Sequence, residues 1–321
     1  MIRWLGSAIA VIGLLAALAW NHWLRPRLPR MPALSSTIQH GTLEHDGHER
    51  TYLFYVPKNP ALIIFLTGGH VEAAKMREAT AWEFEVLADQ HGFVVVYPEP
   101  IGGIFNACRI RETGESNKPS IDDVGYVQKL IDHFAATLSI DRAHVFAAGM
   151  SVGGDMAMRL AVEAPDRVGA VAVIGINLPV NDRQRCSLSG KPVPFLLMNG
   201  TADPIVPYNG GEVSLFGLDS GGVRSTRETV DYFRQLAGHD QEPRRETLPD
   251  NVEDDGSSVE RLTWQTVGHP EVVLYTIHGG GHTIPHPTLR FGRIVGVTNG
   301  DINAPHEIWS FFERTMQANA H

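Results

Sequence analysis

Residues 144–164 read HVFAAGMSVGGDMAMRLAVEA, and this stretch decides the fold class. An apolar run leads into the tight segment Gly149-Met150-Ser151-Val152-Gly153, and an apolar pattern of helical period follows it. A serine on a sharp strand-to-helix turn needs small neighbours, because side chains at the flanking glycines would collide with nearby backbone. The stretch therefore predicts a strand, a reactive serine at Ser151 and a helix. The alternative is a chance turn, since the chain has 32 glycines.

Short apolar runs alternate with helical patterns around this stretch. The predicted strands are 61–66, 93–97, 144–148, 168–174 and 194–198, and the predicted helices are 79–90, 122–138, 153–164, 224–236 and 304–316. Hairpins are predicted over 36–56 and 259–277, and 241–258 is predicted to be an exposed excursion. Strands that are apolar on both faces and separated by helices are typical of a parallel sheet covered on both sides. With the serine turn, this order predicts the α/β-hydrolase fold: a mostly parallel central sheet with helices on both faces.

A serine hydroxyl is a weak nucleophile at neutral pH and needs a base, which a third group must orient. In this fold the acid and the histidine follow the serine along the chain, in that order. Asp203 follows the predicted strand at 194–198, and His282 follows three glycines after the apolar run VVLYTI. We therefore predict Asp203 as the acid and His282 as the base, while an Asx turn before Pro204 is the structural alternative for the aspartate. Competing residues are Asp182 and Asp240 for the acid and His278 and His286 for the base.

The tetrahedral intermediate of acyl transfer needs hydrogen-bond donors for its oxyanion. We expect one donor to be the backbone N–H of Val152, the residue after the serine. The second is expected in the loop Thr67-Gly68-Gly69-His70, at the N–H of Gly69, unless this glycine pair is a simple turn. His70 either contacts the substrate or faces water. This chemistry implies no metal and no organic cofactor.

Composition narrows the class of protein. The chain has 321 residues, of which 43% are hydrophobic and 20% charged, as in an ordinary globular protein. The formal net charge is -9 and basic residues cluster only near the N-terminus, which argues against nucleic-acid binding. The two cysteines, Cys108 and Cys186, have the spacing of neither a zinc site nor a redox pair. They are either free core thiols or, in an exported protein, a candidate disulfide.

The N-terminal sequence contains a candidate export signal. Residues 4–20 carry no charge and are rich in Leu, Ala, Ile and Val, so residues 1–23 are predicted to be a cleaved signal peptide or an uncleaved membrane anchor. Arg25, Arg27 and Arg30 follow closely, which is unusual after a cleavage site and weakens the case for export. Residues 24–35 are interpreted as a linker and 36–321 as the catalytic domain. We expect an exported protein; its oligomeric state stays open.

Three further motifs add to the serine turn. They are GMSVGGDMA at 149–157, GTADPIVPYNGG at 200–211 and GGGHTIP at 279–285. Over roughly residues 48–318 the chain resembles the exported polyhydroxybutyrate depolymerase and feruloyl esterase-like group of α/β-hydrolases. The segment 122–131 also resembles the family, although Asp122 and Asp123 are equally typical of helix capping.

The resemblance implies a carboxylic ester hydrolase that works through an acyl-enzyme on Ser151. The family often has His-Gly where Thr67-Gly68 stands, and Trp and Gly where Ile284 and His286 stand. Because Ile284 would offer substrate no flat face, we expect short-chain or hydroxyacyl esters as substrates. Feruloyl or acetyl-sugar esters are the alternative. A serine peptidase and a non-catalytic binding protein on the same scaffold are the rival classes.

Overall fold

The computed structural model describes residues 20–57, 61–110, 121–188, 190–215 and 218–319. Twelve strands occur among them: β1 Gln39–His45, β2 His48–Tyr55, β3 Leu62–Leu66, β4 Val94–Pro98, β5 Val145–Met150, β6 Ala170–Ile174, β7 Phe195–Gly200, β8 Gly211–Leu215, β9 Leu218–Val223, β10 Arg244–Thr247, β11 Ser258–Trp264 and β12 Val272–His278. The α-helices are α1 Ala73–Ala79, α2 Glu83–His91, α3 Asp123–Leu138, α4 Val152–Glu163, α5 Thr226–Leu236 and α6 Ala304–Asn319.

Ten of these strands form one sheet in the order β1-β2-β4-β3-β5-β6-β7-β12-β11-β10. The six central strands, β4 through β12 in that order, run parallel, and the pairs at both edges are antiparallel. The central strands are buried on both faces, as their continuous apolar sequences predict. The α/β-hydrolase fold predicted from the sequence is confirmed.

Helices cover both faces of the sheet and bury two hydrophobic layers. Helices α3, α4 and α5 contribute Leu130, Met156 and Phe233 to one layer. Helices α2 and α6 contribute Phe84 and Phe312 to the other, where the Phe312 ring stacks on a β5 phenylalanine at 4.6 Å between centroids. Burial of apolar surface stabilises the folded state by roughly 25 cal/mol per Å². The two layers therefore hold the strand ends in fixed positions.

Two local predictions need correction, and two local features were not predicted. The helix predicted over 79–90 begins only at Glu83, as α2, because Ala81 and Trp82 adopt left-handed conformations with φ of 54° and 58°; the preceding helix α1 was not predicted. The exposed excursion predicted over 241–258 contains the edge strand β10, whose residues are polar and mostly exposed. The hairpin β8–β9, which forms a separate two-stranded sheet, was not predicted.

Most of the segment interpreted as a signal peptide or anchor lies outside the described residues. Trp20–Leu24 forms a single π-helical turn, and the following stretch contacts the domain through two backbone hydrogen bonds between Arg27 and Arg290, at 2.7 and 3.0 Å. Within the part of the chain that the structure describes, no helix is long and apolar enough to cross a membrane.

Candidate active site

Ser151 occupies the sharp turn between β5 and α4. Its backbone has φ 54° and ψ −121°, a conformation that non-glycine residues rarely adopt and that occurs mainly where function requires it. Gly153 makes the turn possible, since a Cβ there would lie 2.1 Å from the carbonyl oxygen of Leu66. The Ser151 N–H donates to the carbonyl oxygen of Ile174 at 2.8 Å, so the turn is fixed to the end of β6.

Asp203 and His282 form a close pair. Their side chains lie at the ends of β7 and β12, which are adjacent parallel strands, so both loops emerge from the same edge of the sheet. His282 Nδ1 lies 2.7 Å from Asp203 Oδ2, and the two side chains are 9% and 2% exposed. Asp203 Oδ1 accepts hydrogen bonds from the backbone N–H groups of Ile205 and Val206, both at 2.8 Å. These donors fix the carboxylate and leave its other oxygen for the imidazole.

The end of β6 brings the pair and the serine together. Gly175 directly follows Ile174, the residue that accepts the Ser151 N–H. A Cβ on Gly175 would lie 3.3 Å from both Nδ1 and Cε1 of His282, and its φ of +66° also favours glycine. Because the imidazole lies against Gly175 and the Ser151 N–H is bonded to Ile174, both catalytic candidates lie beside the end of β6.

The predicted oxyanion loop lies beside this turn. A Cβ on Gly69 would lie 3.1 Å from Cγ2 of Val152 and 3.9 Å from Cγ1 of Ile104, so the loop after β3 is in contact with the first residue of α4. The next residue, His70, is exposed with φ 55°, and its N–H donates to the carbonyl oxygen of Gly103 at 2.6 Å. The N–H groups of Gly69 and Val152 therefore belong to neighbouring turns.

The competing histidines lie elsewhere. His278 is exposed at the end of β12. His286 is 3% exposed and pairs with Glu83 at 3.1 Å, while its Nδ1 accepts from the N–H of Leu289 at 2.9 Å. Burial alone would raise the pKa of Glu83, but hydrogen bonds from His286 and His306 lower it to about 2. His286 is thus held in place by its hydrogen bond to Glu83 of α2.

The competing acids are also placed away from the imidazole. Asp182 and Asp240 are exposed, in loops after β6 and α5. Asp122 caps α3 by accepting from the N–H of Gly125 at 2.8 Å, as one of its two interpretations predicts. Asp123 is buried, pairs with Arg50 at 2.5 Å and accepts from the N–H of Asn106 at 2.6 Å. It fastens α3 to the loop that precedes the disulfide.

The prediction that Ile284 contacts substrate is wrong. Its side chain is 0% exposed and belongs to the hydrophobic layer shared with α6. The loop after His282 turns inward because Thr283 Oγ1 donates to the Val297 carbonyl at 3.1 Å and the His286 N–H donates to the Asn299 carbonyl at 2.9 Å. A core side chain at this position cannot select the acyl group directly.

Cys108 and Cys186 are joined by a disulfide, with their Cα atoms 4.9 Å apart. The bond lies next to the serine helix, since the N–H of Arg109 donates at 3.2 Å to Asp155, one turn after Ser151. Backbone hydrogen bonds from Arg185 to the Cys108 carbonyl and from Ile110 to the Arg183 carbonyl reinforce the link. The disulfide therefore joins two loops beside the candidate site.

Sequence reasoning missed several residues that support the site. Gly175 follows the strand AVAVI and could have been singled out as a glycine at a strand end. The carbonyl oxygen of Val295 accepts the His282 N–H at 2.7 Å, a contact that gives no sequence signal. Asn199 on β7 is buried and donates to Asn177 Oδ1 at 2.7 Å and Thr226 Oγ1 at 2.9 Å. These bonds hold the ends of β6 and β7 and the start of α5 together.

Comparison with known proteins finds similarity to esterases. Residues 51–181 match the family model described as esterase PHB depolymerase. The chain is 29% identical over 293 residues to a putative esterase, NocK, of Nocardia uniformis subsp. tsuyamanensis, covering 85% of this chain and 82% of NocK. It is 27% identical over 249 residues to poly(3-hydroxyalkanoate) depolymerase C of Paucimonas lemoignei, covering 72% of this chain but only 56% of that protein.

A solved structure with a similar fold is the acetyl xylan esterase from Aspergillus awamori. The two structures superpose with a TM-score of 0.56, and their sequences are 17% identical. The match covers 78% of this chain and 96% of the acetyl xylan esterase, and this similarity supports the fold alone. The family match includes the strand and turn that carry Ser151. The chain is therefore a carboxylic ester hydrolase of the α/β-hydrolase fold, and its residues 51–181 are similar to the esterase PHB depolymerase family.

Proposed function

We propose that Ser151, His282 and Asp203 are the catalytic residues of this ester hydrolase. The observation that carries the proposal is the 2.7 Å pair between Asp203 and His282, whose imidazole lies against Gly175 at the strand end to which Ser151 is bonded. The strained backbone of Ser151 adds support, because a nucleophile elbow has this conformation.

The hydrogen bonds of Asp203 determine the role of each histidine nitrogen. Since Asp203 Oδ1 already accepts from two N–H groups, the ionised carboxylate is an acceptor, and His282 Nδ1 donates its proton to Oδ2. The neutral imidazole then has a free lone pair on Nε2. His282 Nε2 is therefore the general base for Ser151.

In the first half-reaction Ser151 Oγ attacks the ester carbonyl carbon and transfers its proton to His282 Nε2. The carbonyl oxygen becomes an oxyanion, which the N–H groups of Gly69 and Val152 stabilise. The C–O bond to the alcohol breaks, and the alcohol leaves with the proton from His282. In the second half-reaction, water activated by His282 attacks the acyl-enzyme, releases the acid and restores the serine.

We propose short-chain aliphatic or hydroxyacyl esters as the substrate class. The aliphatic side chains of Ile104 and Val152 border Gly69, where the reacting carbonyl would bind. The relative named as a poly(3-hydroxyalkanoate) depolymerase gives further support, although the chain covers only 56% of it. We also propose that the protein is exported, on the basis of the uncharged segment 4–20.

The test is a panel of butyrate, hydroxybutyrate, methyl ferulate and acetyl-sugar esters with purified protein. We expect the highest kcat/KM on the two aliphatic esters, and a preference for ferulate or acetyl-sugar would overturn the substrate class. Ser151→Ala and His282→Ala should each lower kcat by about 10⁴-fold or more, because triad members act as a unit. An alanine variant with most of its activity would overturn the residue assignment.

A further inference from the structure

Large apolar side chains are exposed mainly at one place in the fold. Seven are exposed among the described residues, and six of them lie in the stretch 20–31 or on the turn Arg293–Val295: Trp20, Trp23, Leu24, Leu28, Met31 and Ile294. Trp20 and Trp23 are 60% and 52% exposed. Indole rings that remain partly in water are typical of the interface between a bilayer and solvent.

Two segments build this surface. The turn Trp20–Leu24 packs on the turn Arg293–Val295, and the approach is close, because a Cβ on Gly292 would lie 2.7 Å from the carbonyl oxygen of Leu24. We call the surface formed by Trp20, Trp23, Leu24 and Ile294 the N-terminal face. It belongs to the folded domain, since Arg27 is hydrogen-bonded to Arg290.

Arginines border the N-terminal face. Arg25, Arg27 and Arg293 are exposed and, within the described residues, form no ion pair. With Arg290 they line a cavity of about 600 Å³ whose acidic residues are Asp254 and Asp255. Asp255 already accepts from Ser257 and from the N–H of Gly300, so its charge is partly satisfied within the protein. The cavity lining thus holds four arginines against two aspartates, while the carboxylates of Glu253, Asp255 and Asp301 lie close to that of Asp250.

We propose that the N-terminal face docks the folded domain on an anionic phospholipid bilayer. Three observations favour lipid as the occupant: exposed tryptophans, nearby arginines that form no ion pair within the described residues, and the uncharged apolar sequence 4–20, which precedes the face in the chain. A symmetric contact between two copies would bring the same exposed arginines of both chains together, and this like-charge repulsion disfavours a second copy as the occupant.

Docking would hold the catalytic loops near the bilayer surface. The inner side of the same turn accepts the His282 N–H at the Val295 carbonyl, 2.7 Å away. A Cβ on Gly296 would lie 2.7 Å from Cα of Gly281 and 3.5 Å from Cδ of Pro204, in the loops that carry His282 and Asp203. The relation to catalysis rests on the proposed function, whereas the docking itself does not.

The test uses the full chain in bilayer nanodiscs. Both cysteines are in the disulfide, so an introduced cysteine can be spin-labelled selectively. Ile294→Cys places the label on the face, and Val267→Cys is the matched control, since Val267 is 100% exposed and lies in the β11–β12 connection. Accessibility to a water-soluble nickel relaxation agent is measured in discs of phosphatidylglycerol and phosphatidylcholine.

We expect the label at 294 to be protected in anionic discs, with the label at 267 fully accessible. Each of Arg25→Gln and Arg293→Gln should lower the ratio of docked to free domain about fivefold, as expected for a basic residue near an anionic surface. Equal accessibility of the two labels in anionic discs would overturn the proposal. Protection that needs no lipid and grows with protein concentration would also overturn it and identify a second copy. Hydrolysis of a soluble ester by the same variants should be unchanged, which separates this result from the proposed catalytic role.

Discussion

Asp203→Asn tests the hydrogen-bond network around the histidine in one step. The side chain keeps its shape but has only one acceptor oxygen. Two backbone N–H groups, from Ile205 and Val206, lie 2.8 Å from Oδ1, and His282 Nδ1 lies 2.7 Å from Oδ2. Turning the amide nitrogen toward the two N–H groups would leave both unsatisfied, at about 1–3 kcal/mol each.

The asparagine is therefore expected to keep its oxygen on the N–H groups and to point its NH₂ at His282 Nδ1. The imidazole then carries its proton on Nε2 and cannot accept one from Ser151. Loss of the correct tautomer lowers kcat about 10⁴-fold in such triads, which corresponds to roughly 5 kcal/mol of transition-state stabilisation.

The assay is steady-state hydrolysis of a butyrate ester by Asp203→Asn, with Asp182→Asn as the matched control, since Asp182 is exposed. The thermal unfolding midpoint of the two variants should stay near that of the parent protein. If Asp203→Asn keeps kcat within tenfold of the parent, the tautomer argument is refuted. A severe loss in Asp182→Asn would move the acid to that residue.

Three other changes test separate parts of the structure. Gly175→Ala introduces a Cβ 3.3 Å from the His282 ring, and steady-state kinetics should show kcat lowered about tenfold with little change in KM; an unchanged kcat would contradict the packing. The double variant of Cys108 and Cys186 to alanine opens a loop of 78 residues, and urea unfolding should show a loss of about 4 kcal/mol. A loss below about 1 kcal/mol would show that the bond constrains little. Because the pKa of Glu83 is lowered from 4.5 to about 2, its stabilisation is present above pH 4.5 and lost as the pH falls toward 2. The difference in unfolding free energy between the parent and Glu83→Gln should shrink over that range, and a constant difference would contradict the His286–Glu83 pair.

Local patterns were sufficient to predict the centre of the fold. The strand before Ser151 and the helix after it are continuous in sequence, and buried parallel strands are apolar throughout, so β3 through β7 could be recognised singly. Asp203 and His282 follow apolar runs closely, which explains why the sequence could single them out as candidates. The bond between them at 2.7 Å is a finding of the structure.

Features that depend on distant contacts were not predictable. Strand β10 has the sequence RRET and is recognisable only by its pairing with β11. The break between α1 and α2 has no glycine or proline to mark it, since Ala81 and Trp82 adopt the left-handed conformation. Ile284 lies within the motif GGGHTIP, but the direction of its side chain depends on hydrogen bonds from Thr283 and His286 to residues 297 and 299.

The central claim is that Ser151 is a nucleophile activated by His282, and fluorophosphonate labelling followed by peptide mass mapping tests it most directly. Only an activated serine attacks the probe at neutral pH and low probe concentration. The account predicts one phosphonate per chain on the peptide that contains Ser151, no adduct in Ser151→Ala and greatly slowed labelling in His282→Ala. An adduct on a different serine, or an unlabelled parent protein with an intact fold, would contradict it.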